Sequence, residues 1–111
     1  MYSKIIICGR LGRDPEMAYT KGGDNYATLA VAVNDKRKGE EETTWYRVTC
    51  WRKQAAFVTE YLNKGSTVLV DGRLKVSEYT NKQGEKKFSL DIDANTVQAI
   101  GSKNENNQSP F

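Results

Sequence analysis

Apolar side chains recur at every second position in four long stretches of this chain, and only one stretch carries the helical period. Alternation by two puts one set of side chains on each face of a strand. A chain written this way folds as a sheet with one buried face. In residues 26–33 (Tyr-Ala-Thr-Leu-Ala-Val-Ala-Val), Leu29, Val31 and Val33 share a face, and Thr28, Ala30 and Ala32 share the other. In residues 44–51, Tyr46, Val48 and Cys50 read as core, while Trp45, Arg47, Thr49 and Trp51 point the opposite way. Residues 67–79 divide into Val68, Val70, Gly72, Leu74 and Val76 against Leu69, Asp71, Arg73, Lys75, Ser77 and Tyr79. Residues 86–99 divide into Phe88, Leu90, Ile92 and Ala94, read as core, against Lys87, Ser89, Asp91 and Asp93.

An Ile-rich strand over residues 4–11 opens the chain, Pro15 follows its break, and residues 16–19 form a short extended piece. Residues 34–43 hold Lys36-Arg37-Lys38, Gly39 and three glutamates without an apolar residue, and are expected to form a solvated hairpin loop. The helix candidate covers residues 52–63, where Ala55, Val58, Thr59 and Leu62 fall on one stripe before Lys64-Gly65 stops it. The order is three strands, one helix, two strands. That order suits an all-β, five-stranded Greek-key OB-fold barrel with one helix between strands 3 and 4; an SH3-like barrel fits the same pattern. The 111 residues suffice for one domain, taken as residues 1–100. Residues 101–111 are polar and are expected to be a disordered tail.

No run of about 18 apolar residues is present, and the apolar run at the N-terminus is too short for a secretory signal. A cytoplasmic location is expected, and with it two buried free thiols at Cys8 and Cys50. The chain has no His and no Cys-x-x-Cys, so no metal site or cofactor is expected. Asp91 and Asp93 share a face without a third ligand and are expected to be solvated. Neither a GxSxG nor a phosphate-cradling Gly-rich motif is found, and no enzyme activity is expected.

The net charge of +3 is modest, so the placement of the bases matters more than their number. Two tryptophans flanking Arg47 on one strand face make a platform on which bases can stack; the same pattern also fits core or subunit-contact tryptophans. Arg73, Lys75 and Tyr79 repeat the arrangement on the next strand. The triplet Lys36, Arg37 and Lys38 reads equally as a phosphate track or as a solubilising loop balanced by Glu40, Glu41 and Glu42. Arg10 and Arg13 are weaker candidates.

Several segments resemble one family. Ile7-Cys8-Gly9-Arg10-Leu11-Gly12-Arg13-Asp14-Pro15-Glu16 is similar to its opening Val-Gly-Arg/Asn-Leu-Gly-x-Asp-Pro-Glu. Thr44-Trp45-Tyr46-Arg47-Val48, Tyr61-Leu62-Asn63-Lys64-Gly65-Ser66 and Val70-Asp71-Gly72-Arg73-Leu74 resemble three later motifs, in order. The family is the bacterial and mitochondrial single-stranded DNA-binding protein. The resemblance implies an OB fold and a homotetramer that binds single-stranded DNA without sequence specificity in replication, recombination and repair, close to the nucleoid. It implies base stacking on Trp45, Trp51 and Tyr79; the fourth family aromatic, after the second strand, has no counterpart in Asn34-Asp35-Lys36-Arg37. A partner-binding tip is implied at Pro110 and Phe111. With only Glu105, opposed by Lys103, around it, recruitment of repair proteins is expected to be weakened. A dimeric primosomal replication protein and an RNA-binding OB module are the alternatives within the binding class, and a structural oligomer is the one outside it.

Overall fold

The computed structural model describes residues 2–100. The expected tail over residues 101–111, with Pro110 and Phe111, lies outside the described residues. The elements are β1 (Ile5–Leu11), β2 (Glu16–Tyr19), β3 (Asn25–Arg37), β4 (Glu40–Trp51), α1 (Lys53–Tyr61), β5 (Thr67–Thr80) and β6 (Lys86–Ile100). The strands run in the order β1-β5-β6-β4-β3-β2, and β1 also pairs with β3. That extra pairing, Arg10 to Ala32 and Leu11 to Val31, closes a barrel of five long strands. The short β2 lines the outside of β3. The five-stranded OB-type barrel expected from the alternation is therefore observed, with its helix between the third and fourth long strands.

The inward parity packs one core. Leu29, Val31, Val48, Cys50, Val68, Val70 and Ile92 come from four different strands and are essentially inaccessible. Ala55, Val58 and Leu62 of the helix stripe cover one end of it, while Thr59 stays exposed and donates to the Ala55 carbonyl. The helix is shorter than its periodicity suggests. It starts after Arg52 (φ 54°, ψ −117°), which no side chain caps, and ends where Leu62 turns extended. Arg52 is held from three directions: its N–H donates to the Asn25 carbonyl, its carbonyl accepts from Asn25 Nδ2, and its guanidinium lies 3.4 Å from Asp24.

Three expectations are corrected. Residues 34–43 are not a loop. β3 and β4 stay paired out to Arg37 and Glu40, and only Lys38 (φ 50°) and Gly39 (φ 81°) turn. Positive φ at both central residues matches the right-handed strand twist in a two-residue hairpin. Lys36 faces Glu41 and Arg37 faces Glu40, so opposite charges support pairing where apolar residues are absent. Second, β5 and β6 run past the end of the barrel. Leu74, Val76 and Phe88 keep the inward parity but find no core there and stay exposed. Third, Cys8 is exposed and only Cys50 is buried; Cys8 takes the outward parity of β1 with Ile6 and Arg10.

Burial pushes the Cys50 thiol up to about 12, with the nearby Asp93 carboxylate adding to the effect. A thiol reacts as its thiolate. A chromogenic disulfide reagent at neutral pH is therefore expected to titrate one thiol in the native protein and two in denaturant. No helix among the described residues is long and apolar enough to cross a membrane.

A candidate nucleic-acid interface on the barrel face

The outward residues of β3, β4, β6 and β5 line up in rows across neighbouring strands. One row runs Ala30, Arg47, Asp91, Lys75. The next runs Thr28, Thr49, Asp93, Arg73. Trp45 and Trp51 bracket these rows along β4. Trp45 faces Ala32, whose other neighbour is Arg10 of β1, so Arg10 joins the row of Trp45. Period two along each strand and the register between strands, antiparallel except at the parallel β4–β6 pair, are enough to gather these side chains.

The aromatic rings are open to solvent: Trp45 is 54% exposed, Trp51 38% and Tyr79 52%. Trp51 leans on Tyr26 with ring centroids 5.2 Å apart and planes 38° from parallel. Trp45 lies over Gly12. A Cβ at Gly12 would come within 2.6 Å of the indole Cη2 and Cζ3 atoms. Gly12→Ala is accordingly expected to push the ring off its shelf. The tryptophan emission maximum should move to the red, with less than about 1 kcal/mol of lost stability, since a ring edge can swing away where backbone cannot.

Two shallow grooves cross the face. One, of about 280 Å³, is lined by Arg13, Trp45, Arg47, Tyr79 and Phe88 among others. The other, of about 370 Å³, is lined by Thr49, Trp51, Arg73, Lys75, Asp91 and Asp93 among others. The first carries an aromatic that parity assigned to the core. Phe88 is 65% exposed because the hairpin overhangs the barrel. Tyr26 and Gly12 likewise have no site role in the sequence reading. Tyr26 carried a signal, since it shares the parity of Thr28 and Ala30 on β3; Gly12 carried none.

The electrostatics of the face are mixed. Asp91 stands between Arg47 and Lys75 and is not simply solvated. It accepts from Ser89 Oγ at 2.7 Å and Ser77 Oγ at 3.3 Å, and lies 3.5 Å from Arg47 Nε. Asp93 is flanked by Arg73 in the neighbouring row. Among the described residues these carboxylates join no group of three or more potential metal ligands. Lys36, Arg37 and Lys38 are not brought to the rows. They sit at the hairpin end, where Lys36 is four residues beyond Ala32, or about 13 Å along a strand. A planar, apolar surface with cations at its edges can stack bases and neutralise phosphates without reading base edges.

Comparison with known proteins finds one family. The model of the single-strand binding protein family matches residues 2–100. The chain is 39% identical over 107 residues to single-stranded DNA-binding protein A of Bacillus subtilis (strain 168), covering 94% of this chain and 62% of that protein. It is 40% identical over 111 residues to single-stranded DNA-binding protein 2 of Staphylococcus aureus (strain COL), covering 97% and 80%. It is 38% identical over 109 residues to a single-stranded DNA-binding protein of Neisseria meningitidis (strain Z2491), covering 94% and 63%. The chain thus spans about three-fifths of the length of the Bacillus and Neisseria proteins.

Proposed function

The chain belongs to the single-strand binding protein family, and we propose that it binds single-stranded DNA without sequence specificity, protecting and organising the strand during replication, recombination and repair. The observation that carries this reading is the shared face: Trp45, Trp51 and Tyr79 stand open beside Arg47, Arg73 and Lys75. Bases stack on the rings, and the guanidinium and ammonium groups meet phosphates. Arg10 extends the basic edge beside Trp45, and Phe88 adds a fourth ring in the groove of Trp45 and Tyr79. Lys36, Arg37 and Lys38 would meet a strand only where it continues past the platform toward the β3–β4 turn.

The same reading includes a homotetramer around which the strand wraps, in the cytosol beside the nucleoid. Recruitment of replication and repair proteins through Pro110 and Phe111 is weak because the one acid of the surrounding segment, Glu105, is opposed by Lys103. The reading contains no catalytic step.

Titration with poly(dT) tests it. Tryptophan fluorescence should be quenched, and the association constant should fall as salt rises. Each phosphate neutralised on a single strand contributes a slope of about −0.7 in log K against log salt. If Arg10, Arg47, Arg73 and Lys75 each meet one phosphate, the slope is about −3 per chain. Arg73→Ala and Lys75→Ala should each flatten it by about 0.7. Unquenched fluorescence on saturating poly(dT) would refute the reading, and equal affinity for poly(U) would move it to RNA.

A further inference from the structure

A third hollow continues the platform past Trp51. It measures about 270 Å³, close to the groove at Trp45, and is lined by Tyr2, Ser3, Lys4, Arg73, Asp93 and Asn95. We propose that it is an additional nucleotide subsite, taking one base on the Tyr2 ring and one phosphate on Arg73. The proposal rests on the single-strand-binding reading above and adds a position to its path.

Continuity is the first support. Arg73 and Asp93 line both this hollow and the groove of Trp51, so the two hollows adjoin. Shape is the second. β6 carries a bulge here: Asp71 pairs with Thr96 and Gly72 with Ala94, which leaves Asn95 unpaired, and such bulges bend a strand and re-aim its side chains. Gly72 lines the hollow, and a Cβ there would collide with the Asp93 carbonyl, so only glycine lets the two strands approach this closely. Chemistry is the third. Tyr2 is 84% exposed and stands just ahead of β1. Arg73 forms no ion pair among the described residues. Ser3, Asp93 and Asn95 offer polar atoms to a base edge or sugar.

The hollow is also fixed in place. Lys4 Nζ lies 3.1 Å from Asp71 and ties the residues ahead of β1 to β5. Hydrogen bonding and attraction from Asp71 raise the Lys4 ammonium above its usual range, so this tie persists at neutral pH. Gln54 Nε2 donates to the Asn95 carbonyl at 2.6 Å and anchors the opposite wall to the helix.

The test uses the full chain and an oligothymidylate long enough to cover all three hollows. Tyr2→Ala should weaken binding about tenfold, which is within the range of one lost stacking contact. Tyr2→Phe should bind as the parent does. In the unaltered protein, an oligonucleotide carrying 5-iododeoxyuridine should photo-crosslink to the Tyr2 peptide. The subsite is overturned if Tyr2→Ala binds within twofold of the parent and no crosslink reaches Tyr2, while the parent's tryptophans are still quenched. It is equally overturned if Tyr2→Phe loses as much as Tyr2→Ala, because stacking would then not be the interaction. A parent protein whose tryptophans are not quenched removes the function itself. The crosslink needs no substitution and so does not depend on how the variants fold.

Discussion

Replacing both tryptophans, Trp45→Ala with Trp51→Ala, is expected to weaken poly(dT) binding by about 2–6 kcal/mol, twice the contribution of one stacked base. That is roughly 30-fold to 10⁴-fold in the dissociation constant. The loss is this large because the remaining rings, Tyr79 and Phe88, stand on the β5–β6 hairpin and not on β4. Arg47 between the two tryptophans is already engaged by Asp91, and Thr49 is too small to stack. Folding should survive, since both rings take the outward parity and the core residues Val48 and Cys50 take the other. Trp51→Ala alone should also cost a little stability through its contact with Tyr26. Filter binding measures the affinity, because the fluorescent reporter is removed along with the rings. A double variant within threefold of the parent would mean that the platform is a subunit contact rather than a binding surface.

Leu29→Ala is expected to cost about 2–5 kcal/mol, the usual range for emptying a buried leucine site. Leu29 is wholly inaccessible in the middle of β3, among the side chains that close the barrel. A domain of this size has about 5–15 kcal/mol in hand, so the loss is a large part of the total. In urea the midpoint should fall by roughly 1–3 M at fixed protein concentration. Val76→Ala is the informative contrast. Val76 has the inward parity of β5 but lies on the overhanging hairpin and is exposed. It should change stability by less than about 0.5 kcal/mol. Two apolar residues of matching parity thus differ several-fold in cost, according to whether the barrel reaches them.

This contrast marks what alternation can and cannot reveal. Parity identifies a face, and that is why Trp45, Arg47 and Trp51 separate from Val48 and Cys50 before any coordinates are known. It does not say where along a strand the opposite wall ends. Phe88, Leu74 and Val76 read as core for that reason, and Phe88 instead lines a groove. The company of Cys8 misleads: three isoleucines precede it, but its own parity follows Ile6 and Arg10. The continuation of β3 and β4 to the turn at Lys38-Gly39 is hidden by polarity, because cross-strand charge pairs act there as apolar pairs do elsewhere. The rows joining Arg10 to Trp45, and Asp91 to Arg47 and Lys75, depend on register between distant segments. No local pattern encodes that register.

Asp91 has a consequence for time as well as for strength. On a strand-bound face, Arg47 would exchange a carboxylate for a phosphate, and Asp91 would stay beneath the strand to take it back. An ion pair waiting at the same distance lowers the barrier to letting go. A strand held this way would have a short dwell time at each contact, and the protein would slide along it or yield it readily. Asp91→Asn would bind longer and hand over more slowly, which for a temporary wrapping would be a loss.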